Sequence, residues 1–156
     1  MPKIDIASVP KVLDSTYPEP WGSRMGRRAF QDLGDAAGLT QYVVVQAVLE
    51  PGAASSLRHW HSADDEFVWV VEGELVLAQD AGETVLRAGD AAGFRAGDPD
   101  GHHLLNRSDA PARYLVVGTR APEDVCRYSD VDLLFRTATG GFTRRDGTVL
   151  GKGRGD

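Results

Sequence analysis

Through the middle of this chain, hydrophobic and polar positions exchange with a period of two. Residues 41–50, QYVVVQAVLE, form a valine-rich run that stops at Pro51-Gly52. That composition and its turn pair predict a long strand. Residues 66–72 set Glu66, Val68, Val70 and Glu72 against Phe67, Trp69 and Val71, which in an extended strand are opposite faces. Further strands are predicted at 57–61, 74–79, 83–87, 91–94, 102–106 and 112–118, with turns at Gly73, Asp80-Ala81-Gly82, Ala88-Gly89-Asp90 and 107–110. Short strands separated by regular turn signals argue for an all-β sandwich or barrel.

The flanks read differently. Residues 1–40 carry Pro2, Pro10, Pro18 and Pro20, which interrupt regular elements, so the segment is expected as an N-terminal arm. Trp21 and Phe30 are expected to pack that arm onto the barrel or onto a partner subunit. Arg24, Arg27 and Arg28 form a small basic cluster, either a solvated face or an anchor for an anionic partner or ligand. Residues 41–119 form the barrel and residues 120–156 a C-terminal extension, within one domain overall. In the extension, Pro122 is placed to open a short helix, and Asp146-Gly147 predicts a hairpin.

Composition narrows the function classes. The 156 residues are 42% hydrophobic and 26% charged, an ordinary globular balance. A formal charge of −6 argues against a nucleic-acid partner, which needs a basic face. No apolar run is long enough to span a membrane. The first residues, MPKIDIASVPKVLD, lack the apolar stretch of a signal peptide, so the cytoplasm is the expected location. Cys126 is the single cysteine, which excludes an intrachain disulfide; it reads as a small buried residue.

The candidate chemistry lies in residues 52–73, GAASSLRHWHSADDEFVWVVEG. On a strand, His59 and His61 aim both imidazoles one way and Trp60 the other. A turn through Ser62, Ala63, Asp64 and Asp65 brings Glu66 back on the neighbouring strand. Two imidazoles and a carboxylate then form a facial set suited to a divalent transition metal. Residues 89–106, GDAAGFRAGDPDGHHLLN, supply a second group with His102, His103 and Asn106.

Together the two stretches resemble the cupin superfamily. Its first motif is Gly, five residues, H-x-H, three or four residues, Glu, six residues, Gly. Here four residues separate His61 from Glu66 and six separate Glu66 from Gly73, while Gly52 stands one position further from His59 than usual. Gly89-Asp90 opens the second motif, and His102 with Asn106 closes it. Arg95 stands where proline is usual, and four residues rather than two separate Gly97 from His102. The flanking LGDAAGLTQ, YSDVD and GGFTRRDG are similar to those of small bacterial single-domain cupins with no firmly assigned reaction.

The resemblance implies a double-stranded β-helix, or jelly roll, holding one divalent metal per subunit (Fe, Mn, Ni or Zn). His59, His61, Glu66 and His102 match the ligand positions, with His103 the alternative fourth ligand. It implies a small polar substrate and dioxygenase, isomerase or lyase chemistry; the alternative is a non-catalytic binding or sensing module. Glu72, Gln46 and Tyr42 are the candidate acid–base groups, and Asp64 and Asp65 read as turn residues. Because Phe67, Trp69 and Val71 face outward when Glu66 faces in, they call for a covering layer, and a homodimer is expected.

Overall fold

Turn glycines and β-branched runs divide the chain into short strands that can bury a face only by stacking sheets. A computed structural model, which describes residues 3–152, places thirteen strands among them. They are β1 (Arg28–Asp32), β2 (Tyr42–Leu49), β3 (His59–His61), β4 (Glu66–Glu72), β5 (Glu74–Gln79), β6 (Gly82–Arg87), β7 (Ala91–Phe94), β8 (His103–Leu105), β9 (Ala112–Thr119), β10 (Val125–Tyr128), β11 (Leu134–Arg136), β12 (Gly141–Thr143) and β13 (Val149–Lys152). The one α-helix among the described residues, α1 (Leu33–Ala36), is a single turn capped by Asp32.

All strand pairs are antiparallel. One sheet runs β1-β2-β9-β4-β7, a second β13-β12-β11-β10-β3, and a third β6-β5-β8. This is the all-β architecture the alternation predicted, in the jelly-roll form the resemblance implied. The main core lies between the sheets, where the inward faces of β2, β4, β5 and β9 contribute Ala47, Leu49, Val68, Val70, Leu75, Leu77 and Tyr114. Gly73, at φ +81°, makes the crossing from β4 to β5; a Cβ there would press on the Ala112 backbone at 3.0 Å. Among the described residues, no helix is long and apolar enough to cross a membrane.

The flanking segments differ in part from the sequence pattern. After the last arm proline, β1 pairs with β2 over five residues, from Arg28↔Leu49 to Asp32↔Val45. The preceding chain folds over the outer face of that pair: Gln31, buried, donates to the carbonyls of Ile6 and Val9 at 2.8 Å each and accepts from Gln46. Trp21 packs on a second core of Cys126, Tyr128, Leu133 and Phe142, and Phe30 packs on the first. Residues 122–123 form a turn into β10 instead of the helix expected at Pro122, since Asp124 N–H bonds back to Ala121 at 3.1 Å. The Asp146-Gly147 hairpin forms, closed by Arg144 N–H to the Thr148 carbonyl at 2.8 Å.

Among the described residues the outward face of β4 stays open: Phe67, Trp69 and Val71 are 46%, 43% and 42% exposed. Among the described residues the arm lies on β1 and β2, away from that face.

Candidate metal centre

Three elements deliver the site. β3 is the edge strand of the second sheet and pairs with β10, His61 opposite Cys126 and His59 opposite Tyr128. β4 lies in the first sheet, and its inward alternation starts at Glu66. His102 sits just ahead of β8 and exchanges two backbone hydrogen bonds with His59, at 2.8 and 3.1 Å. Gly101 lets that loop pass β10, because a Cβ there would overlap the Ser129 hydroxyl.

The result is convergent. Glu66 Oε2 lies 3.7 Å from His59 Nε2, 3.4 Å from His61 Nε2 and 3.5 Å from His102 Nε2. Ligand atoms about 2.1 Å from one tetrahedral centre are separated by about 3.4 Å, close to these carboxylate–imidazole distances; His59, Glu66 and His102 have ligand atoms within 4.8 Å of one another, and so do His61, Asp64 and Asp124. His102 supplies a second test. Both its ring nitrogens are buried without a hydrogen-bond partner, an arrangement that normally costs stability and that a cation at Nε2 would relieve. The donor set of imidazole and carboxylate suits a divalent transition metal.

Each imidazole is held differently. His59 Nδ1 lies 2.9 Å from the Leu57 carbonyl and 3.1 Å from Ser56 Oγ. His61 Nδ1 lies 2.7 Å from Asp124 Oδ2. In both, Nδ1–H donates outward, so the neutral ring turns its Nε2 lone pair toward Glu66, where a cation would accept it. His102 is held by its ring, stacked on Phe94 with centroids 3.5 Å apart and planes 2° from parallel.

Electrostatics follow from the packing. Burial pushes the Glu66 carboxyl up, yet the three imidazoles outweigh it and hold it well below the usual carboxylate range. Burial opposes a charge on His61 too, but Asp124 and Glu66 prevail and raise it to about 10. With no metal bound, a proton on His61 thus supplies part of the positive charge these two carboxylates demand. Burial holds His102 below its ordinary range, in the neutral form that ligation requires.

Of the sequence candidates, His59, His61, Glu66 and His102 are brought together. His103 faces away, its Nδ1 3.0 Å from the Ser56 carbonyl. Asn106 is structural: buried, it donates to the Leu49 and Ala110 carbonyls at 2.8 Å and accepts from Ser108. Glu72 is exposed beside Arg113, Tyr42 is half exposed, and Gln46 bonds Gln31 on the outer face; none of the three acid–base candidates reaches the centre. Asp64 and Asp65 are turn residues, Asp64 accepting from Thr119 and Ala121 and Asp65 from the Ala96 amide.

Sequence reasoning missed Asp124. Its Oδ1 accepts from the Ala63 amide at 2.8 Å, Ser62 Oγ at 3.2 Å and the Asp64 amide at 3.3 Å, so one carboxylate clamps the β3–β4 turn and orients His61. No local pattern marks it; the contact spans 63 residues and exists because β10 pairs with β3.

A family model for the cupin domain matches residues 45–118. A protein of Silicibacter pomeroyi, described as a sugar phosphate isomerase from the cupin superfamily, is 50% identical, with a TM-score of 0.90 over 94% of this chain and 95% of its own. The chain belongs to the cupin superfamily. An Acidithiobacillus ferrooxidans protein, to which sugar phosphate isomerase activity is provisionally ascribed, is 27% identical to this cupin, with a TM-score of 0.70 over 76% of this chain and 75% of its own. The polyketide cyclase RemF of Streptomyces resistomycificus shares the fold at 19% identity, with a TM-score of 0.66 over 84% and 87% of the two chains. No curated protein matches the sequence. Cupins often hold a metal, and this one presents histidine and glutamate groups able to do so.

Proposed function

We propose that this cupin binds one divalent transition metal through His59, His61, Glu66 and His102 and isomerises a small phosphorylated sugar. The observation that carries the metal assignment is the approach of three imidazole Nε2 atoms, one of them on a ring with no hydrogen-bond partner, to a single carboxylate oxygen. The substrate class is supported by the half-identical Silicibacter pomeroyi protein described as a sugar phosphate isomerase. A metal bound there supplies Lewis-acid polarisation of a substrate oxygen. The chain's own part is to hold the four ligands, with Asp124 fixing the His61 ring, and to receive the substrate in the cavities of about 220 and 260 Å³ that reach Glu66.

A second reading, ligand binding without turnover, is favoured by one observation. The carboxylates beside Glu66 in the larger of these cavities, Asp64 and Asp124, are already committed to amide and hydroxyl donors, so neither is free to move a proton. Elemental analysis of the purified protein, followed by NMR of hexose and pentose phosphates incubated with metal-loaded and chelator-stripped samples, tests both. One metal per chain with metal-dependent interconversion supports the isomerase. Full metal content with saturable binding and no interconversion selects the second reading. Metal near zero even after reconstitution overturns the assignment.

The assembly is proposed as a cytoplasmic homodimer covering the exposed Phe67, Trp69 and Val71, since two-fold pairing hides such a face with no added sequence. Light scattering should give twice the 16.8 kDa chain mass, falling to one chain in Trp69→Asp; a monomeric wild type refutes it.

A further inference from the structure

A cavity of about 480 Å³ is lined by none of the four candidate metal ligands. It lies between the arm and the barrel, and its lining includes Tyr17, Arg28, Phe30, Val45, Tyr128 and Phe135. It shares Phe30, Val45 and Ser55 with the 220 Å³ cavity and Tyr128 and Phe135 with the 260 Å³ cavity, both of which reach Glu66. One continuous run of wall residues thus leads from the metal centre to Arg28.

Arg28 is an unusual residue to find there. Its neighbours in the basic cluster, Arg24 and Arg27, are exposed, whereas Arg28 is 7% exposed. Among the described residues no carboxylate pairs with it. Nη1 donates to the Ala54 and Ser55 carbonyls at 3.2 and 2.6 Å, and Nη2 to Ser15 Oγ at a long 3.3 Å. Nε is buried with no partner. The guanidinium carbon lies 5.1 Å from the Phe30 ring centre and 5.9 Å from that of Tyr17. A buried charge without a counter-charge is costly, and here only carbonyl, hydroxyl and aromatic groups offset it. The Nε–Nη2 edge of a guanidinium is a fork that fits two oxygens of a carboxylate or phosphate. Of the acidic residues on the same cavity, Asp32 and Asp35 face Arg120 at 3.9 and 2.6 Å, and Asp14 is exposed.

We propose that Arg28 is an oxyanion-binding subsite that anchors the phosphate or carboxylate end of a small ligand whose body lies against Tyr17, Phe30 and Phe135. The subsite stands on its own residues, and its use by a sugar phosphate rests on the isomerase reading above. It resolves the alternatives for the basic cluster in favour of a single internal anchor. The cavity lies in the range that holds small ligands, and the bound anion supplies the counter-charge that the protein withholds.

The test is NMR of the arginine Nε–H signals in the full, metal-loaded protein titrated with inorganic phosphate, a hexose phosphate and benzoate. The Arg28 signal is expected to shift saturably while Arg24 and Arg27, as exposed controls, move little. Tighter binding of the hexose phosphate supports the sugar reading, and tighter binding of benzoate supports the subsite with an aromatic acid as its natural occupant. An Arg28 shift no larger than those of Arg24 and Arg27 with all three probes overturns the proposal. Arg28→Gln should weaken phosphate binding at least tenfold, on the scale of a charge-assisted bond. Because that change also removes the carbonyl contacts, Val45→Trp serves as the second variant: it fills the shared wall and leaves the guanidinium intact, and it should block binding too. Isomerase activity with an unchanged KM in Arg28→Gln would sink the use of the subsite by the sugar phosphate and spare the isomerase. A shifted Arg28 signal without isomerase activity would do the reverse.

Discussion

The histidines of β3 and the histidine before β8 reach the same carboxylate oxygen, but they are held by different physics. His59 and His61 are oriented by hydrogen bonds at Nδ1, to the Leu57 carbonyl and to Asp124. His102 has no Nδ1 partner and is oriented by stacking on Phe94 within the barrel. Hydrogen bonding fixes the tautomer as well as the direction of a ring and raises its basicity as a ligand. Stacking fixes the plane alone. The β3 pair should therefore respond to polar substitutions far from the metal, and His102 to the shape of its neighbours.

The largest effect that sharpens this contrast comes from the ligands themselves. His61→Ala should abolish stoichiometric metal uptake, read by elemental analysis after reconstitution, because the site loses both a ligand and the residue that Asp124 braces. A variant that still loads one metal per chain would place the centre elsewhere. Next is Asp124→Asn, which presents an amide to His61 Nδ1 while keeping side-chain volume. Loss of such an outer partner typically costs about 10- to 100-fold in metal affinity, measured by competition with a chelator of known strength. An unchanged affinity would reduce Asp124 to a turn clamp.

Phe94→Leu is gentler, removing the stack on His102 while preserving apolar bulk. It should cost about 1 kcal/mol, roughly fivefold in metal affinity, with the fold intact by circular dichroism. If it costs as much as Asp124→Asn, stacking and hydrogen bonding are equivalent supports and the contrast fails. Smallest is His103→Ala, expected to leave metal affinity within about twofold, because this ring bonds the Ser56 carbonyl away from the centre. A large loss there with a tolerated His102→Ala would move the fourth ligand by one position.

The mid-chain strands are legible in the alternation of residue types because each has one buried face. Period-two alternation states which side of β4 faces inward, and Val68 and Val70, 2% and 0% exposed, lie on the side of Glu66 as the pattern requires. The His-x-His spacing works the same way, since strand geometry alone sends both rings to one side. The flanks carry no such rule. Prolines before residue 21 speak against pairing, yet β1 forms just beyond them and joins the sheet edge of β2. Pro122 suits a helix start, but a turn into β10 suits the register with β3.

Residue order alone thus sets the local geometry: which residues extend, which side chains share a face, and which histidine and glutamate positions of the first motif point inward. What each inward group meets is settled by the packing of the sheets. Asp124 reaches His61 across 63 positions because an edge strand needs a partner and β10 supplies it. Phe94 lies on His102 because β7 pairs with the start of β4. Arg28 is buried while Arg24 and Arg27 are exposed because it opens β1, paired with Leu49 of β2, and reaches Ser15 of the arm and the carbonyls of Ala54 and Ser55. Such contacts depend on which sheets stack and in what register, and short-range periodicity does not encode distances between segments that meet only after the chain has closed on itself.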